Sequence, residues 1–117
     1  MHTMTQTTDI VLTHSADRLA VVLLPEHALG ETCLQASREK LQAFADNVGA
    51  GELRLDFSQI EYLGSSGLGV LVSLHRQMAQ KDGHLVLDNL APDLVELFKL
   101  TRLDTILDIR PTEAGSL

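Results

Sequence analysis

One stretch decides how this chain folds, Tyr62-Leu63-Gly64-Ser65-Ser66-Gly67-Leu68-Gly69-Val70. It follows a run that alternates apolar and polar residues, 53–57, and it opens a segment with the apolar spacing of a helix, 68–81. The sequence therefore predicts two serine hydroxyls at a helix start. Because the first backbone N–H groups of a helix lack intrahelical partners and carry about half a positive charge, this position can hold a phosphate group.

The composition indicates one small α/β domain. The chain has 117 residues, 44% of them hydrophobic, with one Tyr, three Phe and no Trp, so its core has to be built from aliphatic side chains. Lys and Arg number 9 against 16 Asp and Glu, which gives a formal charge of -7. Because no basic cluster is present, we do not expect nucleic acid as a partner. The single Cys33 excludes a disulfide within the chain.

The N-terminal residues do not have the pattern of a targeting sequence. They lack the basic start and apolar centre of a signal peptide, and no apolar run in the chain reaches the roughly 20 residues that a membrane helix needs. We therefore expect a cytoplasmic protein without direct membrane insertion.

Strand and helix patterns alternate along the chain. The predicted strands are 9–13, 18–24, 53–57 and 84–88, with a turn at 14–17 and a last strand or short helix at 105–109. The predicted helices are 34–48, 65–81 and one that begins at Pro92. This order predicts an α/β fold, a small mixed sheet of four to five strands with helices packed mainly on one face. One domain is expected at 9–110, with a disordered segment at 1–8 and a tail at 111–117.

The second predicted helix has two unlike faces. A wide apolar arc should face the core, and it consists of Leu68, Leu71, Val72, Leu74, His75, Met78 and Ala79. The opposite arc consists of Ser66, Val70, Ser73, Gln77 and Gln80. Because a solvated helix face usually carries charged residues, this uncharged arc favours a surface that a partner covers, and a weakly polar free surface is the alternative.

The glycine-serine stretch does not match the enzyme motifs that it superficially resembles. The glycines do not bracket either serine as G-x-S-x-G, Val72 stands where a dinucleotide loop needs its third glycine, and no Gly-Lys-Ser/Thr ending is present. The five histidines, at 2, 14, 27, 75 and 84, have no metal-ligand spacing, so neither a metal nor a cofactor is expected. His27, in a loop beside Glu26, is a candidate to face the serines. A small enzyme such as a nucleotide hydrolase therefore ranks behind a binding function.

Three segments of the chain form a family pattern. They are Leu55-Asp-Phe-Ser-Gln-Ile-Glu-Tyr-Leu-Gly-Ser-Ser-Gly-Leu-Gly-Val-Leu-Val, Gly83-His-Leu-Val-Leu and Ala91-Pro-Asp-Leu-Val-Glu-Leu-Phe-Lys-Leu-Thr-Arg-Leu. On these segments the chain resembles, over residues 9–109, the STAS domains of bacterial anti-sigma factor antagonists. The resemblance implies a STAS-like fold and a non-enzymatic partner-switching module. Such an antagonist binds an anti-sigma factor that is also a GHKL-type serine kinase, is released when that kinase phosphorylates it, and is reset by a PP2C-type phosphatase.

The resemblance also implies which residues form the site. The modified serine of the family maps to Ser65, with Ser66 as the second candidate. The expected partner-binding residues are Gly64, Ser65, Ser66, Gly67, Val70, Ser73, Gln77 and His27, in a domain that acts as a monomer or weak dimer. The alternative is a constitutive STAS adaptor, such as the small subunit of a lipid-transporting ABC complex. Gly64 and Gly30 stand where the family usually has aspartates, and this difference favours the adaptor.

Overall fold

Five strands form one mixed sheet in the order β1-β2-β3-β4-β5. The computed structural model describes residues 10–112. The strands are β1 Val11–Ala16, β2 Leu19–Leu23, β3 Glu52–Asp56, β4 His84–Leu90 and β5 Asp108–Pro111. β1 pairs antiparallel with β2, and the strands from β2 to β5 pair parallel. The predicted α/β fold with a small mixed sheet is confirmed, while the predicted disordered segment 1–8 and residues 113–117 of the predicted tail lie outside the described residues.

Three helices connect the strands. They are α1 Leu34–Val48, α2 Ser65–Gln80 and α3 Pro92–Leu100, and a 3-10 turn at Leu103–Thr105 precedes β5. α3 begins with proline, whose missing N–H is not needed at the first position of a helix. The segment predicted at 105–109 as either strand or helix thus contains the end of the turn and the start of a strand.

The core lies between the helices and one face of the sheet. In β2 and β3, every second side chain is buried, and the other side chains are half-buried. The buried set continues into all three helices, through Leu41 of α1, Leu74 of α2 and Phe98 of α3. The packing of helices on one face follows from this alternation, because a one-residue shift of register would turn the apolar set to the other face.

The hairpin between β1 and β2 differs from the sequence-based expectation. β1 continues to Ala16, so the turn comprises only Asp17 and Arg18 rather than residues 14–17. Arg18, the second of these turn residues, takes the left-handed conformation, with φ 64°. The register shifts between Leu12 and His14, and the Thr13 hydroxyl between them donates a 3.1 Å hydrogen bond to the carbonyl oxygen of Val21. The predicted strand ended at Thr13 because residues 14–17 were assigned to the turn, whereas the strand continues past this bulge as far as Ala16.

Candidate partner-binding site

The connection between β3 and α2 fixes the position of the two serines. Three of its side chains are buried, those of Phe57, Ile60 and Leu63, so the segment is anchored in the core at three points. The Ile60 N–H donates to the carbonyl oxygen of Phe57 at 2.9 Å, which closes a turn after the strand. The chain then enters α2 at Ser65, and both hydroxyl-bearing residues, Ser65 and Ser66, are exposed.

The start of α2 has no side-chain cap. Gly64 is the N-cap residue in an extended conformation, and the first turn contains no acidic residue. The first intrahelical hydrogen bond runs from the Leu68 N–H to the Gly64 carbonyl oxygen at 3.0 Å. The N–H groups that precede Leu68 in the helix point past its end and have no intrahelical acceptor. The expected arrangement, serine hydroxyls beside a helix N-terminus, is therefore present.

Gly67 brings the β2–α1 loop, residues 24–33, into contact with the first turn of α2. A Cβ atom at Gly67 would lie 2.7 Å from Leu63 Cδ1, 3.3 Å from the Leu29 carbonyl oxygen and 3.5 Å from Leu29 Cβ. Leu29 is itself buried, and the loop packs on the helix where only glycine leaves enough space. The loop and the helix thus form two walls of one cleft.

This serine cleft has a volume of about 240 Å³. Its lining residues come from the loop and from the start of α2, and they are Leu29, Gly30, Glu31, Tyr62, Gly64, Ser65, Ser66 and Gly67. Among the lining residues within 10–112, Glu31 is the one that carries a formal charge. Tyr62 is 78% exposed, and its ring lies against Gly64, where a Cβ atom would be 3.4 Å from the Tyr62 hydroxyl oxygen.

Sequence reasoning missed Glu31 and Tyr62 as parts of the site. Glu31 follows Gly30, which departs from the family pattern. Residue spacing alone does not place Glu31 in one cleft with Ser65, which lies 34 positions later in the chain. His27, predicted to face the serines, lines a second cleft of about 270 Å³ instead, together with Gly30, Glu31, Thr32 and Cys33. The His27 imidazole lies 4.0 Å from the Glu26 carboxylate.

The exposed face of α2 is rotated relative to the predicted outer arc. Val70 is only 6% exposed, and Gln77 turns toward α1, where its amide donates to the Gln42 carbonyl oxygen at 3.1 Å and to Asp46 Oδ1 at 2.9 Å. The placement of these two residues on an outward arc was wrong because α2 packs against α1 as well as against the sheet. Ser66, Ser73 and Gln80 are exposed as expected, whereas Ala79, predicted to face the core, is also exposed.

The exposed surface that begins at the cleft is uncharged. Ser66, Gly69 and Ser73 lie exposed on successive turns, and half-buried Leu68 and Val72 flank them. We call these five residues the α2 face. A Cβ atom at Gly69 would have no neighbouring atom within 4 Å, so this part of the helix faces open space. If a partner covered the α2 face, no charged side chain of that face would lose its hydration.

Residues 10–112 contain neither a cluster of metal-ligating side chains nor a membrane-crossing helix. Within residues 10–112, no group of three or more His, Cys, Asp or Glu side chains is arranged to hold a metal ion. Over the same residues, none of the helices has the length and apolar character that crossing a bilayer requires. The candidate site consists of the serine hydroxyls, the Glu31 carboxylate and the uncharged α2 face.

Comparison with known proteins identifies the family. A family model described as Mlab, STAS domain, matches residues 15–109. The chain belongs to the STAS domain family. Among its relatives, the anti-sigma-B factor antagonist of Bacillus subtilis (strain 168) is 35% identical over 80 residues, which are 68% of this chain and 72% of that STAS protein. The anti-sigma-B factor antagonist of Listeria monocytogenes is 38% identical over 61 residues, 52% of this chain and 54% of the relative.

Solved STAS structures have the same fold. An anti-sigma-factor antagonist (STAS) domain protein from Planctomyces limnophilus superposes with a TM-score of 0.76 at 21% identity, over 92% of this chain and 93% of that one. The phosphorylated form of the Bacillus cell fate determinant SpoIIAA gives a TM-score of 0.62 at 18% identity, over 92% and 96% of the two chains. The resemblance inferred from sequence, to the STAS domains of anti-sigma factor antagonists, is confirmed.

Proposed function

We propose that this STAS domain is an anti-sigma factor antagonist that acts by partner switching. Unmodified, it binds an anti-sigma factor that is also a GHKL-type serine kinase, and phosphorylation of Ser65 releases it. One observation carries the proposal: Ser65 is the exposed first residue of α2, in a cleft that continues directly into the uncharged α2 face. The names of the two relatives, both anti-sigma-B factor antagonists, support the same role.

The unmodified state suits binding because of the composition of the α2 face. Its small and half-buried apolar side chains allow a partner to approach the helix backbone closely. No charge has to be buried on this side of the contact, so the desolvation cost stays low. Of the predicted contacts, Ser66 and Ser73 lie on this surface, and Gly64 and Ser65 line the adjoining cleft. Gly67 is buried and contributes as the position on which the β2–α1 loop packs. Val70 supports it from below, since its side chain is buried.

The phosphorylated state would oppose the same contact. A kinase that transfers a phosphoryl group to Ser65 must hold its nucleotide phosphates opposite that hydroxyl. After transfer, the new phosphate faces the remaining anions. Two unit charges at 4 Å repel by about 4 kcal/mol at an effective dielectric constant of 20. A hundredfold loss of affinity needs only about 2.7 kcal/mol, so this repulsion is sufficient for release.

The proposed cycle requires a phosphatase as a further partner. A PP2C-type phosphatase would remove the phosphate and restore binding, and no cofactor is required by the domain itself. A sigma-factor regulator of this kind acts in the cytoplasm, as a monomer or weak dimer and without contacting nucleic acid. In this scheme the domain is a binding module rather than an enzyme.

A pull-down from extract of the source organism tests the proposal. Wild type and Ser65→Asp serve as baits, and Ser15→Asp, which adds the same charge on the exposed edge strand β1, is the matched control. We expect a serine-kinase-type anti-sigma factor with wild type and with Ser15→Asp, and at least a tenfold lower yield with Ser65→Asp. Ser73→Asp, farther along the α2 face, should lower the yield less than Ser65→Asp does. Mass spectrometry of the native protein should show phosphoserine at 65. Equal recovery of the kinase by wild type and Ser65→Asp would refute the switch.

The second candidate is a constitutive adaptor of a lipid-transporting ABC complex. It is favoured by Gly64 and Gly30, which leave the N-cap of α2 and the adjoining loop position without a carboxylate. In that case wild type and Ser65→Asp should both retain a transporter ATPase. Protein from native cells should then contain no phosphoserine at 65.

A further inference from the structure

The carboxylate of Asp56 joins the end of β3 to two other parts of the molecule. Its Oδ1 accepts a 2.9 Å hydrogen bond from the Ser58 N–H and a 3.1 Å hydrogen bond from the side-chain amide of Asn89. Ser58 lies in the connection that leads to Ser65, whereas Asn89 belongs to β4. One oxygen atom therefore ties the β3–α2 connection to the neighbouring strand.

The backbone around Asp56 holds the other wall of the serine cleft. The Asp56 carbonyl oxygen accepts a 3.2 Å hydrogen bond from the N–H of Leu24, the first residue of the β2–α1 loop. The next N–H group along the chain, that of Phe57, donates to the Asp88 carbonyl oxygen in β4 at 2.9 Å. The loop and the connection, which form the two walls of the cleft, are thus both bonded to the last residue of β3.

A bulge in β4 directs the Asn89 side chain toward Asp56. Asp88 is the register partner of Asp56, so in a regular strand the next side chain, at position 89, would point to the opposite face. The register with β5 shifts between Leu87 and Leu90, and it is Leu90 that is buried in the core. Asn89 takes the left-handed conformation, with φ 58°, which asparagine tolerates better than most residues. The extra residue of a bulge re-aims a side chain in this way.

Apolar burial alone does not orient the β3–α2 connection. Phe57, Ile60 and Leu63 anchor the connection in the core, but the hydrophobic effect has no preferred direction. A hydrogen bond does have one, because its strength falls steeply when donor and acceptor are misaligned. The bonds of the Asp56 carboxylate to Ser58 and Asn89 therefore set the direction in which the chain leaves the sheet.

We propose that Asp56 and Asn89 are positioning residues for partner binding, whose hydrogen bond holds the β3–α2 connection so that Ser65 faces the β2–α1 loop. Neither side chain is among those that line the serine cleft, so the pair acts through the backbone of the connection. This inference rests on the proposed function of the cleft as a partner-binding site. Loss of the hydrogen bond should loosen the contact between loop and helix at Gly67.

NMR of the free domain tests the positioning without a partner protein. The probe is the nuclear Overhauser effect between the Gly67 Hα protons and the Leu29 side chain, because a Cβ atom at Gly67 would lie 3.5 Å from Leu29 Cβ. Asn89→Gly removes the amide at a φ that glycine adopts without strain, so this variant should fold with a urea midpoint close to that of wild type. We expect its Gly67–Leu29 Overhauser effect to be at least twofold weaker than in wild type.

A rescue and a matched control accompany this variant. Asn89→Asp sets a second carboxylate against Asp56 and should weaken the Overhauser effect as well, whereas adding Asp56→Asn restores a donor–acceptor pair and should recover most of the wild-type intensity. The control is His84→Ala, which removes a 2.8 Å hydrogen bond to Asp108 at the other end of β4 and should leave the intensity unchanged. Full intensity in Asn89→Gly, or a double variant no better than Asn89→Asp, would overturn the inference.

The outcome is separable from that of the pull-down. As a bait, Asn89→Gly should recover at least threefold less kinase than wild type, and equal recovery would overturn its role in partner binding. If the Overhauser effect responds but Ser65→Asp retains its partner, the positioning of the cleft stands and partner switching is wrong. If the Overhauser effect does not respond while Ser65→Asp loses the kinase, partner switching stands and the positioning is wrong.

Discussion

Replacing Gly67 or Gly69 by alanine should separate packing from helix propensity at the candidate site. Both glycines lie inside α2, and an alanine at either position gains up to about 1 kcal/mol of helix propensity. At Gly69 the new methyl group meets no atom within 4 Å, so the gain is expected in full. Gly69→Ala should therefore stabilise the domain by about 1 kcal/mol.

At Gly67 the same methyl group has no room. It would lie 2.7 Å from Leu63 Cδ1 and 3.3 Å from the Leu29 carbonyl oxygen, and both of these residues are buried. Inserting a methyl group into a packed site costs about 1–3 kcal/mol. We expect the lower half of this range because the closer atom is the free end of a side chain. Gly67→Ala should thus be about 1–2 kcal/mol less stable than Gly69→Ala.

Urea denaturation followed by circular dichroism measures this difference, since both variants contain the same residues apart from the position of one methyl group. With a urea slope of about 1–3 kcal/mol per M, 1 kcal/mol corresponds to a shift in the unfolding midpoint of about 0.3–1 M urea. Equal stabilisation by the two alanines would refute the argument that the β2–α1 loop packs tightly on the first turn of α2. It would also remove the steric basis for treating the loop and helix as walls of one cleft.

Two further predictions concern the rest of the domain. Ser37 is fully buried, and its Oγ has no hydrogen-bond partner among the residues that the structure describes. Ser37→Ala should therefore raise the free energy of unfolding, measured by denaturation, by about 1 kcal/mol, and unchanged or lower stability would contradict an unsatisfied hydroxyl. The Arg110 guanidinium, by hydrogen bonding, holds the pKa of Asp108 below its usual value of 3.8, with a smaller contribution from the hydrogen bond to His84. The carboxylate therefore contributes stability that is present above about pH 4 and is lost as the pH falls through the lowered pKa. In thermal melts recorded over a pH series, Asp108→Asn should lose less stability than wild type as the pH falls below about 4. An identical pH dependence in both proteins would count against the ion pair.

The order of elements was predictable from the sequence because each signal is local. Proline at the start of α3 and the alternation of residues 53–57 each specify an element without reference to distant residues. The position of Ser65 at a helix start was predictable for the same reason. The bounds of the hairpin were not, because residues 14–17 contain turn-forming residue types and the pairing of 14–16 with β2 depends on the neighbouring strand.

The composition of the cleft could not be predicted because it depends on tertiary packing. Helical periodicity shows that α2 has two faces, but it does not show that Val70 is buried or that Gln77 hydrogen-bonds to a second helix. The same limit applies to Glu31, which lines the same cleft as Ser65 in a fold where Leu29 packs on a glycine of another element. Such a contact joins residues more than 30 positions apart in the chain, and periodicity contains no information about it.

The bulge in β1 has a consequence for how the sheet ends. β1 is an edge strand with all its side chains exposed, and an edge of this kind can template the growth of a sheet from one molecule into the next. The register shift after Leu12 puts the outward N–H and C=O groups of the strand out of phase by one residue. An incoming strand can therefore match one half of the edge or the other, but not both, so the fold resists polymerisation at the side opposite β5.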